Sequence, residues 1–243
     1  MAVTPKDRLE IAAHRVMWRA KTVVARYPAI AMPIARRRGH GECVGPDTEI
    51  LVESFPRSAS AFVTAALRSV RTPPLRMAHH VHAPAHVLAA IELRVPALVL
   101  IRDPDSAVLS LLVYRPYLTP ALGYLAYERF HRPLLGHQAG YVVASFEEVT
   151  TDFGVTMRRV NERFGCDLPV FEHTPEAAAR CMAEIDEHIQ IVLRGKELER
   201  YVNRPSEWRR ERAAALEPLL AEAPRERERA YAVYERMRSL AGA

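Results

Sequence analysis

Short apolar runs alternate with segments of helical periodicity through the middle of the chain. The clearest runs are Ile50–Val52 and Ala97–Ile101, and weaker ones lie at Leu75–Val81 and Tyr141–Phe146. An uninterrupted apolar run is typical of a strand that is covered on both faces. Strands that alternate with helices predict an α/β fold with a mainly parallel central sheet and helices on both faces.

Helical spacing accounts for most of the rest of the sequence. It predicts helices at 7–24, after 60, from about 84, after 103, at 117–135 and at 152–164, the last ended by Gly165. The C-terminal third carries an apolar stripe at spacings of three and four, formed by Ala178, Met182, Ile185, Ile189 and Val192. We interpret the chain as one domain, with a helical preface at 1–45, an alternating core at 46–170 and a helical part at 171–243.

The positive net charge of the chain indicates a negatively charged partner but does not identify its chemical class. The 243 residues carry a formal net charge of +5 and a pI near 9.3, which suits an anionic ligand, a nucleic acid or a membrane surface. Basic residues are scattered among acids, and this pattern argues against nucleic-acid binding. Cys43, Cys166 and Cys181 show neither zinc spacing nor a disulfide framework. They favour a reducing, cytoplasmic compartment.

The N-terminal segment has no clean apolar core of the kind that a signal peptide needs. The apolar stretch at 29–35 is too short to span a bilayer. Arg36–Arg38 beside it has two readings: peripheral contact with anionic lipid or an acidic substrate, or a solvated basic turn. We expect the solvated turn.

Residues 57–60 form a small polar stretch between the first predicted strand and its helix. A helix that starts directly after a strand leaves its first N–H groups unpaired, and these attract an anion. Arg57 adds a positive charge there, and Ser58 and Ser60 add hydroxyl groups. The alternative is an ordinary turn with a serine cap and a solvated arginine.

A similar arrangement follows the second clear strand. Arg102 ends the apolar run, Asp103 is a candidate cap for the next helix, and Pro104 suits that helix's first turn. Ser110 lies two turns along the same helix. Two strand ends therefore present an arginine together with hydroxyl groups.

The pair resembles the two nucleotide-binding motifs of the sulfotransferases that use 3′-phosphoadenosine-5′-phosphosulfate (PAPS). In that family, P-[KR]-S-G-[ST]-T holds the 5′-phosphosulfate, and R-[ND]-P with a serine eight residues after the arginine holds the 3′-phosphate. Pro56–Ser60 is similar to the first motif, and Arg102 with Ser110 to the second. The resemblance implies the P-loop-like sulfotransferase fold, with PAPS as co-substrate, 3′-phosphoadenosine 5′-phosphate (PAP) as product, and the core at 46–170 as the nucleotide-binding part. It implies donor contacts from Arg57, Ser58, Ala59, Ser60, Ala61, Phe62, Arg102 and Ser110, with Phe62 against the adenine.

Four histidines crowd the end of the second predicted strand: His79, His80, His82 and His86. No carboxylate or cysteine completes a familiar metal-binding spacing, so we expect no metal. The same resemblance implies a catalytic histidine in a pattern like H-x-P, which His82-Ala83-Pro84 matches. A neutral His82 would accept the proton of the attacking hydroxyl, while Arg57 stabilises the leaving phosphate. His80 is the rival base, and Glu53 the base if neither histidine acts.

Other positions match the family less well. Phe146 stands where relatives have a tyrosine that contacts the adenine, and Arg204 is the remnant of a basic segment that reaches the 3′-phosphate. Ala59 replaces the usual glycine, and Ala61 replaces a hydroxyl residue. A Cβ resists positive φ, so we expect Ala59 to donate its N–H from a backbone with φ below zero.

We therefore expect a sulfotransferase that acts on the hydroxyl or amine of a small-molecule, glycan or lipid acceptor. One alternative is a P-loop phosphotransferase, although the sequence contains no G-x-x-x-x-G-K-[ST]. The other is a non-catalytic protein that binds an anion or a nucleotide on the same fold. Tyr114, Tyr117, Tyr124 and Tyr127 are either an acceptor-facing wall or core residues, and we favour the core.

Overall fold

The computed structural model describes residues 4–39, 41–194, 198–202 and 206–241. Its strands are β1 (Ile50–Ser54), β2 (Met77–His79), β3 (Ala97–Ile101) and β4 (Val142–Ser145). Its helices are α1 (Pro5–Val24), α2 (Pro28–Arg38), α3 (Ser60–Ser69), α4 (Pro84–Glu92), α5 (Pro104–Tyr114), α6 (Pro120–His131), α7 (Phe146–Thr151), α8 (Phe153–Phe164), α9 (Pro175–Leu193), α10 (Leu198–Tyr201), α11 (Glu207–Leu216) and α12 (Pro224–Arg238). Short 3-10 helices occupy Arg132–Gly136, Gln138–Gly140 and Glu217–Glu222.

The four strands form one parallel sheet in the order β2-β1-β3-β4. Val52 of β1 pairs with His79 of β2 on one side and with Leu98 of β3 on the other. This sheet confirms the predicted α/β class. Because all strands run the same way, their carboxyl ends meet at one edge, where ligands bind in open α/β sheets.

Alternate residues of the central strands pack into two separate cores. Leu51 and Val99 point to the layer that contains α4, α5, α6 and α12, whereas Val52 and Leu98 point to the layer of α3, α8 and α9. β1 and β3 are buried along their whole length, as two-sided cover requires. The two clearest apolar runs are therefore strands, and burial on both faces explains their apolar sequence, as predicted.

The second strand is shorter than the predicted range of Leu75–Val81. β2 ends at His79, after which His80 and His82 adopt left-handed backbones with φ of 60° and 53°. The Glu53 carboxylate accepts hydrogen bonds from the N–H groups of Val81 and His82. A side chain of β1 therefore takes these N–H groups instead of a neighbouring strand, and the ladder stops.

Two other boundaries shift because a hydroxyl caps a helix. Ser145 accepts a hydrogen bond from the N–H of Glu148, so Phe146 begins α7 instead of ending β4. Thr119 caps α6 in the same way, so the helix begins at Pro120, three residues after the expected start at 117. In α6, Tyr124 and Tyr127 are fully buried, as the core interpretation predicts. Tyr114 and Tyr117 are only partly buried, so the core interpretation is wrong for them.

The N-terminal helix α1 closely matches the predicted helix at 7–24 and begins with a capping box between Thr4 and Asp7. The expected basic turn at Arg36–Arg38 is instead the last turn of α2, which ends at Gly39 in a left-handed conformation. Cations suit that position because a helix carries partial negative charge at its C-terminus. Within the described ranges, every helix is too short or too polar to cross a membrane.

Candidate functional site

A cavity of about 840 Å³ lies at the carboxyl edge of the sheet. Its lining includes the loop after β1, the end of β3, one face of α9 and part of α11. Ten of the predicted site residues fall in the described ranges, and nine of them line this cavity: Arg57, Ala59, Ser60, Ala61, Phe62, His82, Arg102, Ser110 and Phe146. The tenth, Ser58, lies in the same loop, and Arg204 lies outside the described residues.

The loop between β1 and α3 turns through two left-handed residues. Arg57 has φ of 74° and Ala59 has φ of 70°, so the expectation that Ala59 keeps φ below zero is wrong. Ala59 is the residue before α3 and makes no side-chain cap. No described group accepts a hydrogen bond from the N–H of Ser60, Ala61 or Phe62. These N–H groups lie at the positive end of the helix dipole, a position that favours negative charge.

Ser58 lies in this loop, between Arg57 and Ala59. It is fully buried, and its Oγ has no hydrogen-bond partner among the described residues. A buried hydroxyl without a partner costs about 1–3 kcal/mol. An anion held by the loop would relieve that cost if it approaches within reach of Oγ. Ser60, the first residue of α3, is also buried.

The Arg57 side chain reaches across the cavity floor to α5 and the C-terminal part of the chain. Its Nε donates to Ser110 Oγ at 3.1 Å, and an Nη donates to the Val202 carbonyl at 3.2 Å. Burial lowers the pKa of Arg57 to about 9, and the nearby charges of Arg209 and Arg102 act in the same direction. The guanidinium remains charged at neutral pH, and an anion beside it would offset the repulsion among these cations.

Arg102 supports the loop as well as the cavity. Its Nη1 donates to the Arg57 carbonyl at 2.9 Å, and its guanidinium carbon lies 4.2 Å from the centre of the Phe146 ring. Burial lowers the pKa of Arg102. Stacking on Phe146 keeps the guanidinium plane fixed without the tyrosine hydroxyl that the family pattern has at that position. No hydrogen bond joins Arg102 to Ser110 in the described part of the chain.

Ser110 is instead held by Arg57 and by Arg209, a residue that sequence reasoning missed. Arg209 lies in the first turn of α11, and its Nη2 donates to Ser110 Oγ at 3.1 Å. Another of its nitrogens donates to the Arg200 carbonyl at 2.6 Å. The sequence analysis expected Arg204 to reach the 3′-phosphate, and Arg209 is a basic residue five positions later. Ser110 accepts from two cations, so its own O–H is left to donate into the cavity.

His82 has a tautomer that suits a base. Its Nδ1 lies 2.9 Å from the Ser54 carbonyl, which only accepts hydrogen bonds, so Nδ1 carries the proton. Nε2 therefore keeps its lone pair, and no described residue donates to it. Burial lowers the pKa of His82, which keeps the ring neutral at physiological pH.

His80 has the opposite tautomer. Arg68 donates to His79 Nε2 at 3.1 Å, so His79 carries its proton on Nδ1 and donates it to His80 Nδ1 at 2.7 Å. His80 then keeps its proton on Nε2 and has no free lone pair on the ring. Burial and the neighbouring imidazoles lower its pKa to about 3. This hydrogen-bond chain favours His82 over His80 as the base.

Glu53 is unsuited to the role of fallback base. It is fully buried in β1 and accepts hydrogen bonds from three backbone N–H groups and from His86 Nδ1 at 2.7 Å. His86 Nε2 accepts from the Val44 N–H at 2.8 Å, so the neutral imidazole donates its Nδ1 proton to the carboxylate. Burial raises the pKa of Glu53, but these hydrogen bonds outweigh burial and hold it below its usual value. Glu53 fixes the backbone that carries His82.

Apolar and aromatic side chains form the cavity's other walls. Phe62 lines it and packs against Phe171 and His173, with ring centres 6.2 Å and 5.6 Å apart. The predicted stripe of α9 faces the same space through Ala178, Met182, Ile185, Ile189 and Val192. These surfaces suit a planar base or an apolar acceptor.

The cavity extends past His82 toward the N-terminal helix. Trp18 and Lys21 of α1 line it, and they also line a smaller adjoining pocket with Phe130 of α6. The indole Nε1–H of Trp18 is buried and has no acceptor within the described ranges. This region lies beside His82 and offers a second binding area. The described residues contain no group of three or more His, Cys, Asp or Glu arranged to hold a metal ion.

Comparisons with known proteins give little beyond this geometry. No protein-family model matches the chain, and no curated protein matches it. Among solved structures, mouse sulfotransferase SULT7A1 complexed with PAP matches with a TM-score of 0.44 and 12% sequence identity, covering 80% of this chain and 90% of that chain. At this identity and TM-score the match assigns neither a residue nor an activity to the present chain.

Proposed function

We propose that the chain is a sulfotransferase that moves the sulfuryl group of PAPS to an acceptor hydroxyl. One observation carries the proposal: a positively charged site for an anion and a neutral histidine that can act as a base line the same cavity. Arg57 and the N–H groups of α3 form the anion site, and His82 presents an unprotonated Nε2 beside it. PAPS would supply an activated sulfuryl group with a good leaving phosphate.

The residues present suit such a donor. The N–H groups at the start of α3 and the buried Ser58 hydroxyl would bind the 5′-phosphosulfate, and Arg57 would stabilise charge on the leaving oxygen. Ser110, held by Arg57 and Arg209, would donate to the 3′-phosphate, with Arg102 nearby. Phe62 and Phe146 would flank the adenine.

His82 would act on the acceptor. Its Nε2 would accept the hydroxyl proton as the oxygen attacks sulfur, while Nδ1 stays hydrogen-bonded to the Ser54 carbonyl. That bond also stabilises the imidazolium that forms. The remaining catalysis is positioning and charge stabilisation, as in phosphoryl transfer.

The direct test follows sulfuryl-labelled PAPS with acceptors that carry phenol, sugar and sterol hydroxyls, and also with water alone. We expect PAP release and label transfer in the wild type and loss of both in His82→Ala. Transfer of the γ-phosphate of labelled ATP would favour the phosphotransferase alternative. Tight PAP binding without release of label to any acceptor or to water would favour a non-catalytic binding protein.

A further inference from the structure

Helix α1 is amphipathic in an unusual sense, because the face that it turns to solvent is apolar. At about 100° per residue, the positions centred on Leu9 and Val16 form one stripe along the helix. Every residue of that stripe is exposed: Leu9, Ala12, Ala13, Val16, Ala20 and Val23. Leu9 is 73% exposed and Val16 is 66% exposed, so nothing in the described structure covers them.

The opposite face of α1 already packs against the protein. Arg15 donates to the Tyr117 carbonyl at 2.6 Å, Trp18 packs against the core, and Thr22 accepts from Arg129 at 2.9 Å. The outward stripe is therefore distinct from the face by which α1 packs against the rest of the protein. The next helix continues the exposure of large apolar side chains, with Ile30 51% exposed and Ile34 40% exposed. We call the exposed apolar stripe of α1, from Leu9 to Val23, the outer apolar face.

The charges around this face are mainly positive. Residues 4–39 contain nine Lys or Arg and only two acids. Arg8 and Arg19 lie along one edge of the α1 stripe, and the exposed Arg26 follows shortly after the helix ends. Asp7, one of the two acids, is engaged in the capping box of the helix.

We propose that the outer apolar face docks on an anionic lipid surface, with α1 lying parallel to the membrane. An apolar stripe flanked by Arg and Lys is the pattern of helices that bury one face at the headgroup boundary. A second copy of this chain fits less well, because a two-fold contact would bring like-charged edges together. The same helix carries Trp18 and Lys21 into the cavity, so docking would hold the cavity close to the lipid headgroups.

Vesicle co-sedimentation tests the proposal and requires neither donor nor turnover, so its outcome is independent of the sulfotransferase assignment. We expect binding to phosphatidylcholine vesicles that contain phosphatidylglycerol and much weaker binding to phosphatidylcholine alone. The triple variant Leu9→Ser, Val16→Ser, Val23→Ser should bind at least about tenfold more weakly. The matched control replaces exposed apolar residues on other helices or loops, with Leu93→Ser, Val155→Ser and Ile191→Ser, and should bind like the wild type.

Charge is tested separately, which guards against a folding defect in the serine variant. Replacing Arg8, Arg19 and Arg26 by Gln should weaken vesicle binding by about fivefold per cation. The control pair Arg225→Gln and Arg236→Gln on α12 should have no effect. Equal binding to both vesicle types, or failure of the wild type to sediment, would overturn the proposal. A wild-type dimer in sedimentation velocity that the serine variant dissociates would instead assign the face to a second copy and also overturn it.

Discussion

Ala59 allows a test of the proposed anion-binding loop between β1 and α3, because the backbone at this position has a conformation that favours glycine. At φ of 70° its backbone is left-handed, which costs a non-glycine residue about 1–2 kcal/mol. Replacing it with glycine removes that cost but adds freedom to the unfolded chain, worth about 0.4–1 kcal/mol. We expect Ala59→Gly to stabilise the protein by about 0.5–1 kcal/mol.

The matched control is Ala61→Gly, two residues later in the first turn of α3. Ala61 also lines the cavity, but its backbone is helical. Glycine there should destabilise the protein by about 0.5–1 kcal/mol. Thermal unfolding should therefore separate the variants, with Tm rising by about 1–4 °C in Ala59→Gly and falling by a similar amount in the control.

Donor affinity supplies the second readout for Ala59→Gly. Because Ala59 already has a left-handed backbone, the N–H groups of the loop point in the same directions as they would with glycine at position 59. Calorimetry with PAP should show a change of less than about 1 kcal/mol. A fall in Tm equal to that of Ala61→Gly would refute the strain argument. A gain in PAP affinity well above tenfold would show that the alanine distorts the loop and would indicate a degenerate site.

Three further predictions address the base, the missed arginine and the buried carboxylate. His82→Ala should lower turnover by about a hundredfold or more and leave PAP binding unchanged. Burial holds the pKa of His82 below 6.5, so the turnover of the wild type should fall only when the pH drops below 6.5. Arg209→Gln should weaken PAP binding by about ten- to a hundredfold in calorimetry, whereas the exposed neighbour Arg210→Gln should bind normally. Glu53→Gln should lower the free energy of unfolding by about 2–3 kcal/mol in urea titrations. Since the folded pKa of Glu53 is depressed, its stabilisation is present above pH 4.5 and is lost as the pH falls through that lower folded pKa; unchanged stability in the variant would contradict its role.

The parts of the fold that sequence predicted well are those where burial alone decides the pattern. β3 matches its predicted range because every residue in Ala97–Ile101 is buried from both sides. Arg57 and Arg102 were placed near each other because parallel strands bring their carboxyl ends to one edge. Their contact, from Arg102 Nη1 to the Arg57 carbonyl, follows from that topology.

Other features depended on contacts that no local pattern contains. The tautomers that separate His82 from His80 are set by the Ser54 carbonyl and by Arg68, which are distant in sequence. Periodicity showed α1 as a helix, but it did not show that the stripe through Leu9 faces outward. Arg209 reaches Ser110 only because α11 packs against α5. The expectation that Ala59 avoids positive φ failed because loop closure outweighed the preference of one residue.

In the proposed function, the loop before α3 and the cluster of Arg57, Ser110 and Arg209 bind the two separate phosphates of one ligand, and calorimetry can test this directly. PAP should bind about ten- to a hundredfold more tightly than AMP, because the donors around Ser110 have no partner in a ligand without a 3′-phosphate. ATP should bind no better than AMP, since its additional phosphates extend from the 5′ position. Equal affinity for PAP and AMP would contradict the account, whatever the outcome of the activity assays.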